Sequence, residues 1–179
     1  MSEVYFTADS HFGHRGIITF PATKPYRPFT TIEEHDEALI EKWNSVVQPK
    51  DIVFHLGDFC FGKRHIQIAG RLNGNKRLVM GNHDMYASEE YLKYFEHLYG
   101  CVEFKGMLLS HMPVHPNQLH RYYMNVHGHL HTNQVLLEDG TRDYRYFNAS
   151  VENHELFPIP LDEVYNYWAE HRPEPINAK

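Results

Sequence analysis

The sequence is short of cysteine, of positive charge and of long apolar runs, and each shortage excludes a class of protein. Cys60 and Cys101 are its only cysteines. They follow no metal-binding spacing and make a poor disulfide framework, so a reducing compartment is expected. Acidic residues outnumber Lys and Arg by 23 to 17, giving a formal net charge of −6. That balance argues against a broad phosphate-binding face for nucleic acid, while leaving room for a small cationic pocket. No apolar run approaches a membrane span, and no basic stretch followed by an apolar one opens the chain. The expectation is a soluble, cytoplasmic protein of one domain, residues 1–179, with a loose tail from about residue 172.

What the sequence does have is histidine, fifteen of them in 179 residues. Histidine is the commonest metal ligand, but only position turns an excess into evidence. Residues 4–8 read as a strand that ends in Asp9-Ser10-His11. Thr31-Ile32-Glu33-Glu34 is a capping-box pattern, and Leu39, Ile40, Trp43, Val46 and Val47 recur at helical spacing. A second strand over 51–56 closes on Gly57-Asp58, and a helix is expected over about 64–72. The run 76–80 reads as a buried strand that ends at Gly81 and is followed at once by Asn82-His83-Asp84. With a further helix expected over about 88–99, the order is that of a parallel α/β sheet.

The second half reads differently. Residues 101–104 and 107–110 predict a hairpin, and 122–126, 134–137 and 142–147 predict strands, the last two joined by Glu138-Asp139-Gly140. A final helix is expected over 161–170. Two long insertions, 12–30 and 112–125, mix aromatic and basic residues and could wall a pocket, their aromatics either packing the loops down or stacking on a base.

Each expected strand end in turn delivers ligand-type side chains: Asp9 and His11, then Asp58, then Asn82 and His83, then His111, then His129 and His131 around Gly128. These are oxygen and nitrogen donors without a thiolate, a set suited to Mn, Fe, Zn or Ni. Even seven of these eight groups are too many for one tetrahedral ion, which points to two divalent metal ions, Mn²⁺ being the first choice. Asp9 and Asp58 would neutralise only part of that charge, which favours a phosphate ester over a neutral substrate. Two ions about 3.5–4 Å apart can generate hydroxide and clamp an in-line displacement at phosphorus.

Asp9-x-His11, Gly57-Asp58, Gly81-Asn82-His83-Asp84, the lone His111 and Gly128-His129-x-His131 together resemble the calcineurin-like metallophosphoesterase superfamily, in its motif order and over residues 4–131. Arg27-Pro28-Phe29 and Asn148-Ala149-Ser150-Val151-Glu152 are similar to a small single-domain bacterial and phage subgroup. The resemblance implies an α/β fold, a four-layer sandwich of two mixed β-sheets flanked by helices. It also implies that Asp9, His11 and His131 hold one ion, Asn82, His111 and His129 the other, and Asp58 bridges them. His83 would be the non-ligand histidine that stabilises the phosphoryl group or protonates the leaving oxygen. Many relatives place a carboxylate shortly after Gly-Asp to orient that histidine, whereas here Phe59, Cys60 and Phe61 follow. Asp84 is read as pinning its own loop.

Other residues take plainer readings. His55 is expected to be a hydrogen-bonded core histidine, and His127 a structural or supporting one. His35, His65 and His97 are expected to be solvated or capping, and Arg27, Lys63 and Arg64 to lie on solvated faces. His14 and Arg15 are candidates to contact substrate phosphate. The expected activity is hydrolysis of small nucleotide or cyclic-nucleotide phosphodiesters, by attack of hydroxide held between the ions. Action on short single strands or on phosphomonoesters, and a non-catalytic binding protein on the same fold, are the alternatives. The oligomeric state has no signal in the sequence.

Overall fold

The computed structural model describes residues 2–172, so the expected loose tail falls almost wholly outside them. Five strands make the first sheet: β1 (Val4–Thr7), β2 (Ile52–His55), β3 (Asn75–Val79), β4 (His97–Tyr99) and β9 (Ile159–Pro160), in the order β4-β3-β2-β1-β9. The first four run parallel and β9 runs antiparallel to β1. The second sheet has the order β5-β6-β7-β8, with β5 (Cys101–Phe104), β6 (Met107–Ser110), β7 (Met124–His127) and β8 (Tyr146–Asn148). The hairpin β5–β6 is antiparallel, and β6, β7 and β8 are parallel. These are the two mixed sheets of the expected fold.

Strand alternation assigns the layers. Phe6, Phe54 and Val79 of the first sheet meet Met107, Leu109, Val126 and Phe147 of the second in one buried cluster. Each such side chain contributes roughly 1.5–3 kcal/mol when fully buried. The alternate residues Tyr5, Val53 and Leu78 face the opposite way, toward Leu39, Ile40 and Trp43 of α1 (Ile32–Val46). The capping box of α1 is formed as expected, Thr31 Oγ1 accepting from the Glu34 amide at 3.2 Å. On the other face of the second sheet, Leu119 of a 3₁₀ turn, Pro116–Arg121, packs on Leu108 and Tyr146, with Val114, Tyr122 and Val135 alongside. No helix among the described residues is long and apolar enough to cross a membrane.

Four expected elements differ. The segment expected as a helix over 64–72 is a 3₁₀ helix, Lys63–Arg71. Ile66, Ala69 and Leu72 are its buried side chains and the residue just after it, and their spacing of three matches three residues per turn. The helix expected over 88–99 stops as α2 (Ser88–Tyr91), and the chain then enters the sheet as β4. Sheet pairing prevails there: the Glu96 amide donates to the Lys76 carbonyl and the Met80 amide to the Tyr99 carbonyl, both at 2.8 Å. Residues 134–137 and 142–145 form no strand but a small loop outside both sheets, joined by one bridge between Leu136 and Arg142. The final helix is found as α3 (Leu161–His171).

Two histidines invert their expected exposure or keep it. His55 is buried as expected, its Nε2 2.7 Å from Ser10 Oγ, and burial pushes its pKa down to about 3. His35 is not solvated: it is fully buried, 2.7 Å from Arg27 Nη1 through Nε2 and 2.9 Å from Asp36 through Nδ1.

Candidate metal centre

Six parallel strands, three from each sheet, end on the same side, where ligands meet open α/β sheets. Past β1 stand Asp9 and His11, past β2 Asp58, and past β3 Asn82 and His83. Past β6 stands His111, past β7 His129 and His131, and past β8 Ser150 and Glu152. The two sheets are stitched together here. Ala8 bridges Ser150, the Asp9 amide donates to the Gly57 carbonyl at 3.0 Å, and the Gly128 amide donates to the His111 carbonyl at 2.9 Å.

The backbone at these turns is unusual. Asp9, His11, Asp58, His129 and His131 all have positive φ, between 49° and 69°. Outside glycine such a conformation costs of order 1–3 kcal/mol per residue and persists where the surroundings over-determine it, commonly at functional sites.

Two groups of side chains result, Asp9 with His11 and His131, and Asp58 with His111 and His129, each with one ligand atom per residue within 4.8 Å of the others. Asp58 faces both groups: its Oδ2 lies 3.6 Å from His11 Nε2 and its Oδ1 3.4 Å from His111 Nε2. Asn82 joins the second group, its Oδ1 3.0 Å from His111 Nε2. All seven expected ligands are therefore brought together.

The donor atoms fit cations. Asp9 Oδ1 and His11 Nε2 are buried without a hydrogen-bond partner, and such atoms are rare unless something else satisfies them. Burial pushes Asp9 up to about 6, against the pull of His131, His111 and the Ser150 hydroxyl; a cation at Oδ1 would hold it ionised. His111 donates from Nδ1 to the Leu56 carbonyl at 2.8 Å, which turns the lone pair of Nε2 toward Asn82, Asp58 and His129. Burial alone would raise Asp58 as well, but the hydrogen bond and charge of His111, with the His83 amide and His11, hold it well below the usual carboxylate range.

Asp84 has the structural role read from its sequence. Its carboxylate accepts from the amides of Asp58 (2.8 Å), Gly81 (2.9 Å) and Phe59 (3.1 Å), tying the β2 loop to the β3 loop. Gly81 sits inside that clamp. A Cβ there would lie 2.3 Å from Asp58 Oδ1 and 2.4 Å from the Asp58 amide nitrogen. Gly81→Ala is expected to lower stability by about 1–3 kcal/mol through overpacking and turnover by roughly tenfold by displacing Asp58. Melting and rate measurements check this, with Gly100→Ala, where a Cβ meets nothing within 4 Å, as the control expected to behave like wild type.

His83 donates its amide to Asp58 Oδ1 at 2.9 Å, and its ring, partly exposed, stands 5.4 Å from the His11 ring. His14 lies on the same side, its Nδ1 3.4 Å from His11 Nδ1 and its ring stacked on Phe61 at 4.6 Å. Arg15 is exposed and lines a separate surface groove with Ile18, Thr31 and Glu33. Two residues at the centre were not expected there. Arg27 is fully buried rather than solvated, and Glu152 accepts from both Arg27 and His131. Neither has a local signal beyond its place in a short motif, because residues of these types ordinarily lie at the surface.

Proteins of similar sequence span nearly the same length. An uncharacterized protein of Methanocaldococcus jannaschii, MJ1445, is 32% identical over 171 residues, 92% of this chain and 90% of that one. The gene 66 protein of Mycobacterium phage D29 is 27% identical over 197 residues, 92% of this chain and 94% of that one. The crystal structure of AQ665 from Aquifex aeolicus, a protein of unknown function, superposes with a TM-score of 0.69 at 30% identity, over 93% of this chain and 99% of that one. The calcineurin-like phosphoesterase family matches residues 3–178, a stretch that contains both sheets and all the loops carrying these aspartates and histidines, and the chain belongs to that family.

Proposed function

We propose that the protein is a phosphoester hydrolase working with two divalent ions, and that phosphodiesters are its preferred substrates. The observation that carries this reading is Asp58 facing both side-chain groups at once. Asp9, His11 and His131 would hold one ion, Asn82, His111 and His129 the other, with Asp58 shared and Mn²⁺ the metal of choice. When bound, such a pair supplies a nucleophile at neutral pH and neutralises charge on the attacking and leaving oxygens.

The chain's own residues do the rest. His83 stands at the partly open side, next to His11 and clear of the proposed ligand set, where it can reach a leaving oxygen. Four metal charges less the two of Asp9 and Asp58 leave two; a hydroxide and the single charge of a phosphodiester bring the centre to neutrality. Arg27 and Glu152 cancel each other and do not alter the count. Phe61 and Phe20, 47% and 49% exposed, flank His14 beside His83 and offer flat apolar surface to a nucleotide base. Small nucleotide and cyclic-nucleotide esters are therefore favoured over long nucleic acid, whose binding calls for an extended basic face.

Purified protein loaded with Mn²⁺ should hydrolyse bis-nitrophenyl phosphate at least tenfold faster than mono-nitrophenyl phosphate, and a chelator should abolish both rates. A cyclic-nucleotide panel and a short single-stranded DNA complete the comparison. Faster monoester hydrolysis would reverse the preference, and no metal-dependent hydrolysis of any ester would refute the activity.

A further inference from the structure

Arg27 and Glu152 are 125 positions apart in sequence and form an ion pair whose side chains are both wholly buried. A buried pair is costly to desolvate and is weak evidence for stability, so its placement calls for another account. The guanidinium donates from Nε at 2.9 Å and Nη2 at 2.8 Å to Glu152 Oε1, from Nη1 to the Ser10 carbonyl at 3.0 Å, and from Nη2 to the Asp9 carbonyl. It thus grips the backbone of the β1 loop at the point where Asp9 takes its positive φ of 58°. The same Glu152 Oε1 accepts from His131 Nδ1 at 2.8 Å.

A carboxylate at Nδ1 decides which ring nitrogen carries the proton. With the proton on Nδ1, the lone pair of Nε2 is left for an ion, and the ring cannot rotate without breaking the bond. Two of the three residues in the Asp9–His11–His131 group are therefore held by one buried pair. Among the described residues no buried ion pair backs the other group, whose His111 is oriented by the Leu56 carbonyl.

We infer that Glu152 is a positioning residue for the Asp9–His11–His131 half of the metal centre, and that Arg27 holds both Glu152 and the Asp9 loop in place for it. The inference rests on the two-ion reading and gives the 12–30 insertion a task. The insertion delivers a buried cation that organises one ion's ligands from behind; neither Arg27 nor Glu152 hydrogen-bonds the other ion's ligands, which meet this half through the Asp9 carboxylate, accepting from the His129 amide at 2.9 Å.

The test is Mn²⁺ titration of the full chain, with free ion read by electron paramagnetic resonance and bound ion by equilibrium dialysis. Wild type should take up two ions. Glu152→Gln should weaken one of them by about 10–100-fold, the range for loss of a ligand's orienting partner, and leave the other unchanged. In a His131→Asn background the same substitution should have little further effect, since residues acting through one another are not additive. If Glu152→Gln alone does not fold, the charge-balanced pair Arg27→Met with Glu152→Gln is read by the same criterion. Both ions weakening equally, neither weakening, or a full additional loss in the His131→Asn background would each overturn the inference. Failure of the two readings is separable because binding is measured independently of turnover. Two ions untouched by Glu152→Gln in an active enzyme would sink the inference alone, selective loss in a protein that hydrolyses no ester would sink the activity alone, and a wild-type chain that takes up no ion would sink both.

Discussion

Asp58→Asn should cost the protein both ions and, with them, nearly all turnover. The substitution keeps the size of the side chain and removes its charge at a residue that faces both His11 at 3.6 Å and His111 at 3.4 Å. A unit charge next to a cation is worth about 4 kcal/mol for each unit of cation charge at about 4 Å and an effective dielectric near 20. For a divalent ion this doubles to about 8 kcal/mol, close to a millionfold in affinity. An amide recovers part of it through its carbonyl oxygen, so about a thousandfold is a fair expectation for each divalent ion. The fold should survive, because the loop is also held through backbone groups: the Asp58 amide donates to Asp84 and its carbonyl accepts from the His11 amide at 3.0 Å. Metal content measured after gel filtration, alongside a melting curve of the metal-free protein, separates the two effects. A variant that keeps two tightly bound ions would show that Asp58 is not shared.

Why the centre could be read from the sequence while parts of its support could not follows from how each is encoded. Asp9-x-His11, Gly57-Asp58 and Gly81-Asn82-His83 are local words: a short apolar strand, a turn, then donors at fixed steps. Parallel strands put such turns on one side, so their convergence follows from topology. Arg27 and Glu152, which join His131 in one cluster, have no such local code. The cluster's members come from three distant loops, and an arginine or glutamate in a loop looks solvated until the structure shows it buried. His35 looks solvated in the sequence for the same reason, its partner Arg27 lying in the preceding loop rather than on its own helix. β4 was hidden by Tyr91, Leu92, Phe95 and Leu98, whose spacing fits a helix as well as it fits a short helix, a turn and a sheet edge. The two-residue β9 leaves no mark in the sequence, because it is too short to show a period and contains Pro160, a residue tolerated at an edge.

His83→Ala should leave both ions in place and slow the chemistry by an amount that depends on the leaving group. The ring takes no part in either group of metal-ligating side chains, and its Nε2 lies 3.9 Å from the nearer oxygen of Asp58. The main chain at His83 is fixed by its amide bond to Asp58 Oδ1, which alanine retains, so Asp58 should keep its place. What is lost is an imidazole N–H placed to donate to the leaving oxygen. Asp84 does not orient that imidazole, since its carboxylate is engaged by three backbone amides. The ring is instead bordered by Phe61 at 5.9 Å and His11 at 5.4 Å. A sugar alkoxide is a poor leaving group without a proton, so hydrolysis of a nucleoside diester should fall by on the order of a hundredfold or more. Nitrophenolate leaves unaided near neutral pH, and its diester should lose only about tenfold, the share due to weaker stabilisation of the phosphoryl oxygens. Rates on both substrates at saturating Mn²⁺, with metal content measured on the same samples, decide the role. Equal losses on the two esters would leave His83 stabilising the phosphoryl group without donating a proton, and loss of an ion would make it a ligand after all.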